Sequence, residues 1–180
     1  MGKMGAGKTL TMSVLMEYFH HVTGAPLSAN YTLKDAKMIE SLDAVVKENA
    51  GILGFDEIWL SADSREWGNN VRLTQWVNQT RKKKMIVFYT TQHIRQVEMR
   101  IRNGTDVLIV CEKKGDGHWL TFIDYQYRTI GRRYLIPFES AKKFYSLYDT
   151  YEVLKPLRWE VKKSTSAWDN VRTVKGRRNY

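Results

Sequence analysis

The sequence predicts an α/β fold built on a largely parallel sheet with an antiparallel edge, and three observations predict it. Apolar runs of strand length (GILGF, MIVFY and DVLIVC) alternate with longer stretches carrying apolar residues at helical spacing. The runs are nearly free of polar positions, the profile of strands covered on both faces. Two of them end in polar residues, Asp56-Glu57 and Thr90-Thr91-Gln92, at the carboxyl ends where sheets of this kind bind ligands.

Taken in order, TLTMSVLMEYFHHVT has helical spacing and stops at Gly24-Ala25-Pro26, a helix end. LSANYTL is a short strand, and residues 34–48 (KDAKMIESLDAVVKE) have helical character. GILGFDEIWL follows as a buried strand, and SADSREWGNN as a polar connection with Gly68-Asn69-Asn70 as its loop signal. VRLTQWVNQTRKK is an amphipathic helix leading into the strand MIVFYTTQ. HIRQVEMRIRNGT is a short basic helix closed by Asn103-Gly104. DVLIVCEKK is a third strand that turns at Gly115-Asp116-Gly117 into antiparallel strands, HWLTFIDYQ and RRYLIPF. AKKFYSLYDTYE is the final helix. With no internal repeat and no earlier boundary, one domain is expected over residues 1–154, followed by a basic tail over 155–180.

Composition narrows the class. No apolar run approaches the ~18 residues of a membrane span. The single Cys111, inside DVLIVC, reads as a core thiol and excludes disulfides and cysteine zinc sites. His20, His21, His93 and His118 share no metal-ligand spacing. Twenty-nine Lys and Arg against nineteen Asp and Glu give a net charge of +10, which favours an anionic partner such as nucleic acid. From Lys155 onward eight residues are basic and two acidic, consistent with either a solvated tail or a nucleic-acid contact.

The chemistry concentrates in three motifs. Residues 2–9, GKMGAGKT, match G-x-x-x-x-G-K-[ST]. Gly2, Gly5 and Gly7 let the backbone curl so that successive amide hydrogens face a phosphate, and the following helix adds its positive end. Lys8 reaches the β- and γ-phosphates of ATP and the Thr9 hydroxyl holds Mg²⁺, so the whole stretch Gly2, Lys3, Met4, Gly5, Ala6, Gly7, Lys8, Thr9 and Leu10 is the expected nucleotide-binding segment. Asp56 orients the Mg²⁺ and Glu57 polarises the attacking water. Gln92 hydrogen-bonds the γ-phosphate or that water, or caps the helix that follows. Arg81, within RKKK, reads from the residues alone as a solvated basic helix end.

GKMGAGKT, GILGFDE and RKKKMIVFYTTQ together resemble the FtsK–HerA superfamily of DNA-pumping ATPases, and more closely its viral genome-packaging and Zot-like phage-morphogenesis branch. The resemblance covers residues 2–112 and implies a RecA-like P-loop core of the ASCE type, with an extra strand between the glycine loop and the acidic strand. It implies that Glu57 is the catalytic base beside Asp56, that Gln92 senses the nucleotide, and that Arg81 completes the site of a neighbouring subunit. It implies a ring that translocates nucleic acid, double-stranded DNA above all, without reading its sequence. Capsid or membrane assembly proteins would be its partners, and its location cytoplasmic or virion-associated.

Two departures bear on this expectation. In such a core an apolar strand precedes the glycine loop, whereas here only Met1 does, so in-frame upstream codons are expected to encode that strand. Lys3 also occupies the position of the extra lysine in ParA–MinD partitioning ATPases, which leaves a DNA-binding ATP switch as the alternative. Trp59, Trp67, Trp76, Asp63 and Arg65 lie in or near the segment after Glu57, as core or as a ligand-facing loop. Arg95, Arg100 and Arg102 are alternative finger or pore residues.

Overall fold

The computed structural model describes residues 1–61, 72 and 75–160. Asp63, Arg65, Trp67, most of the polar connection and residues 161–180 of the tail lie outside the described residues. Helix α1 (Lys8–Thr23) ends at Gly24, whose left-handed φ of 67° carries its N–H back to the His20 carbonyl. Strands β1 (Leu27–Ala29), β2 (Lys37–Met38), β3 (Gly51–Phe55) and β4 (Met85–Tyr89) form one parallel sheet in the order β2-β1-β3-β4.

Residues alternate across β3, so the sheet has two cores. Ile52 faces α1 and packs with Met12, Met16, Leu27 and Ala29. Leu53 and Phe55 face the other way, toward Val45, Trp76, Val97 and Ile101. Trp76, which stands in the expected amphipathic helix, is a core residue; residues 75–77 of that helix are described as helical.

The stretch 34–48 is not one helix. Asp35 has a left-handed φ of 57°, which no helix interior accepts. Lys37 and Met38 pair with β1 as the sheet edge, and only α2 (Leu42–Lys47) is helical. Its start is fixed by Ser41, whose hydroxyl accepts from the Ala44 N–H.

The third apolar run also departs from expectation. β5 (Val107–Lys114) does not join the parallel sheet; it pairs with β6 (Gly117–Asp124), which pairs with β7 (Thr129–Pro137), all antiparallel. The described residues thus form two sheets rather than one with an antiparallel edge. One face of the second sheet, carrying Cys111 and Leu120, covers Ala6 of the glycine loop. On the other side of β5, Met1 donates its N–H to the Ile109 carbonyl (2.6 Å) and accepts from the Cys111 N–H (2.8 Å). That is the bond pair one residue of a parallel neighbour makes.

The basic segment after β4 is a 3₁₀ turn (Ile94–Gln96) followed by α3 (Met99–Asn103), capped by the Glu98 carboxylate. The final helix is short as well: α4 (Phe138–Lys142), then a 3₁₀ turn at Tyr145–Leu147. Residues 155–160, the start of the expected tail, run beside α2, where Leu157 is buried and the Arg158 carbonyl accepts from the Leu42 N–H.

Candidate functional site

The carboxyl ends of β1, β3 and β4 place Asn30, Asp56 and Thr90 next to one another, and the glycine loop ends against them. Thr9, in the first turn of α1, donates its hydroxyl to Asp56 Oδ2 at 2.9 Å. Thr90 donates to Asp56 Oδ1 and accepts the Glu57 N–H at 2.9 Å. The side chain of Asn30 clamps the Asp56 backbone at both polar atoms, accepting its N–H (2.7 Å) and donating to its carbonyl (3.1 Å). Three segments distant in sequence therefore converge on Asp56, Thr9 and Thr90 at its carboxylate and Asn30 at its backbone.

Asp56 is buried, and burial pushes its carboxyl above the usual carboxylate range. Hydrogen bonds from Thr90 and Thr9 and the charge of Lys8 oppose the rise, while the neighbouring Glu57 adds to it. Glu57 itself stands in a left-handed conformation, φ 48°, at the head of the 3₁₀ turn Ile58–Leu60. That is an uncommon and costly geometry for a glutamate. It is held by the Thr90 contact to its N–H and by the Ile58 N–H, which donates to the Thr90 carbonyl. Half-buried Gln92 follows two residues after Thr90.

The loop curls through Gly5 (φ 72°) and Gly7 (φ 88°), and the Lys3 carbonyl accepts from the Ala6 N–H and from Lys8 Nζ (3.2 Å each). Lys8 thus spans the loop. Met4 projects into solvent, whereas Ala6 and Leu10 are buried, so Leu10 offers a ligand only its backbone.

The structure brings Thr9, Asp56, Glu57 and the strand end bearing Gln92 together on one side of the sheet. Arg81 is elsewhere: it precedes β4 at the amino end of the sheet, and its guanidinium pairs with Asp106. Asn30, Thr90 in its bridging role and His118, which bonds the Ala6 carbonyl, were not assigned from sequence. For Asn30 and Thr90 the available signal was a polar residue at the carboxyl end of a strand; for His118 there was none. Among the described residues no group of three or more His, Cys, Asp and Glu could hold a metal ion by itself. No helix among them is long and apolar enough to cross a membrane.

Fold and site together define a mixed α/β protein whose glycine-rich loop meets an acidic strand end at the carboxyl edge of a four-stranded parallel sheet. No family model matches the chain, and no curated protein does. Among solved structures it is similar to the N-terminal domain of zonular occludens toxin from Neisseria meningitidis, with a TM-score of 0.57 and 18% identity. The match covers 82% of this chain and 95% of that one. At this identity the likeness speaks for the fold alone.

Proposed function

We propose that this protein hydrolyses ATP to move nucleic acid, as a Zot-like morphogenesis member of the FtsK–HerA superfamily acting in phage genome packaging or export. The observation that carries the reading is the contact between Thr9 and Asp56, which unites the end of the glycine loop with the end of β3. Among the described residues the hydrogen-bond partners of the buried Asp56 carboxylate are hydroxyls. Hard oxygen donors at a buried, under-neutralised carboxylate fit Mg²⁺, which Thr9 and Asp56 would hold. When bound, the ion offsets charge on the β- and γ-phosphates.

The chain's own groups do the rest. Amide hydrogens of residues 5 and 7–9, at the start of α1, bind phosphate oxygens, and Lys8 leaves the Lys3 carbonyl to meet them. Glu57, fixed by its backbone bond to Thr90, accepts the proton of the attacking water. Gln92 orients that water or the γ-phosphate, so strand β4 links nucleotide state to the helix and turn that follow. Arg81 serves a neighbouring subunit of a ring. The net charge of +10 suits a sequence-independent grip on phosphates, with double-stranded DNA as the partner and capsid or membrane assembly proteins beyond it.

The test separates binding from chemistry. Glu57→Gln should bind ATP like the wild type while hydrolysis falls ~100-fold or more. Long duplex DNA should raise the wild-type rate. Normal hydrolysis by Glu57→Gln would reduce Glu57 to a charged strand end; slow, DNA-indifferent turnover by a dimer would favour the ParA–MinD-like switch.

A further inference from the structure

We infer that His118 is a positioning residue of the phosphate loop: by holding the Ala6 carbonyl it turns the Gly7 amide hydrogen toward the phosphate, so the antiparallel sheet helps set nucleotide affinity. The inference rests on the ATP-site reading and adds to it a residue 112 positions away from its contact.

His118 stands near the start of β6, 6% exposed. Its Nδ1 lies 3.1 Å from the Ala6 carbonyl oxygen. A carbonyl only accepts, so Nδ1 carries the proton. In a planar trans peptide the C=O and the next N–H point in opposite directions. The Ala6 carbonyl faces β6, and the Gly7 N–H therefore faces away from it, to the side where the ATP-site reading puts the phosphate. Among the described residues that N–H has no protein partner.

The fit at Gly7 is close. A Cβ there would lie 2.7 Å from His118 Nδ1, so the imidazole rests directly on the loop backbone. The ring is itself held edge-on by Phe138, with centroids 5.2 Å apart at 85°. The far end of the loop rests on the same sheet, since a Cβ on Gly2 would lie 2.3 Å from the Cys111 carbonyl oxygen. The phosphate loop is thus braced at both ends by β5 and β6, while α1, which it caps, packs on the parallel sheet.

Three variants test this with ADP and pyrophosphate as probes, alongside thermal unfolding. His118→Leu removes the donor and keeps the bulk; it should weaken binding of both probes about tenfold, the effect of one lost hydrogen bond to the loop. His118→Asn places an amide N–H near the Nδ1 position and should bind within about threefold of wild type. Lys8→Ala should lose both probes. If His118→Leu binds as tightly as wild type while Lys8→Ala does not, the inference fails and the ATP site stands. Equal losses in His118→Leu and His118→Asn also overturn it, because the donor would then be irrelevant. If Lys8→Ala binds normally, the ATP-site reading itself fails. Should His118→Leu not fold, Phe138→Leu frees the imidazole while leaving the donor in place; weakened binding there supports the inference and unchanged binding overturns it.

Discussion

Replacing Thr90 with valine removes a hydroxyl and almost nothing else, since the two side chains share their shape. Thr90 is 3% exposed, so no water replaces the lost group freely. Two bonds vanish together. The Glu57 N–H loses its acceptor at 2.9 Å, a neutral bond worth roughly 1 kcal/mol net. Asp56 loses a donor to its carboxylate, a charge-assisted bond worth roughly 1.5–3 kcal/mol. The sum is about 2.5–4 kcal/mol, which for a domain of this size lowers Tm by about 5–15 °C. Thr90→Ser keeps the hydroxyl and should recover most of it.

The penalty should depend on pH in a defined sense. Burial already raises the Asp56 carboxyl, so the folded state holds that proton more tightly than the unfolded chain does. Stability contributed by this group therefore falls as pH rises from the ordinary carboxylate value through the raised one. Without the Thr90 donor, which opposes the rise, the window extends to higher pH. The gap between Thr90→Val and wild type should thus be widest above the raised value and shrink on acidification, in thermal melts followed by circular dichroism. Hydrolysis should fall with the Glu57 backbone released, while nucleotide affinity changes little. A variant that melts within ~1 °C of wild type at every pH, with full turnover, would refute the bridging role.

Asp56→Asn removes a buried charge while its amide can still meet both hydroxyls, so the nucleotide-free protein should melt higher than wild type yet lose Mg²⁺-dependent hydrolysis; a lower Tm would contradict the burial argument. Gly7→Ala places a Cβ 2.7 Å from His118 Nδ1 in a left-handed backbone (φ 88°), which costs roughly 1–2 kcal/mol before any clash, so ADP binding should weaken at least tenfold by titration. Asn30→Ala frees both polar atoms of the Asp56 backbone, and urea unfolding should show a loss of about 2 kcal/mol.

Helix α1 with its Gly24 terminus, strands β3 and β4 and the β5–β6 hairpin were legible because each is signalled locally. The separation of β5 was not. VLIVC is apolar on both faces, which reads as a parallel strand between two helical layers, and only its pairing with β6 shows otherwise. The region 34–48 misled for a different reason: its residues favour helix, but a left-handed Asp35 and edge pairing with β1 override propensity. In the site, Thr9 and Asp56 announce themselves by motif. Asn30, Thr90 and His118 act through contacts spanning 26, 34 and 112 residues, which leave no periodic trace in the chain.

Arg81 is the residue whose proposed role depends most on what lies outside one chain. It precedes Met85, the first residue of β4, whereas Thr90 follows the last. Five extended residues span roughly 17 Å, so Arg81 and the Asp56 carboxylate lie at opposite ends of the same sheet. An arginine there meets a γ-phosphate only if that phosphate belongs to another subunit. Its present partner is Asp106, in a pair whose side chains are 82% and 60% exposed. Such an exposed pair is worth at most about 1 kcal/mol, little beside the roughly 10³-fold that a finger arginine supplies, so the pairing does not prevent the transfer. Arg81→Ala and Lys8→Ala proteins should each be nearly inactive alone. Mixed so that subunits exchange, they should regain ATPase activity, because some interfaces then join an intact Lys8 to an intact Arg81. Mixed assemblies that form but stay inactive would assign the finger elsewhere, with Arg95, Arg100 and Arg102 the next positions to substitute. Full activity of Arg81→Ala alone would remove the arginine from the mechanism and with it the narrowest support for a packaging-type ring.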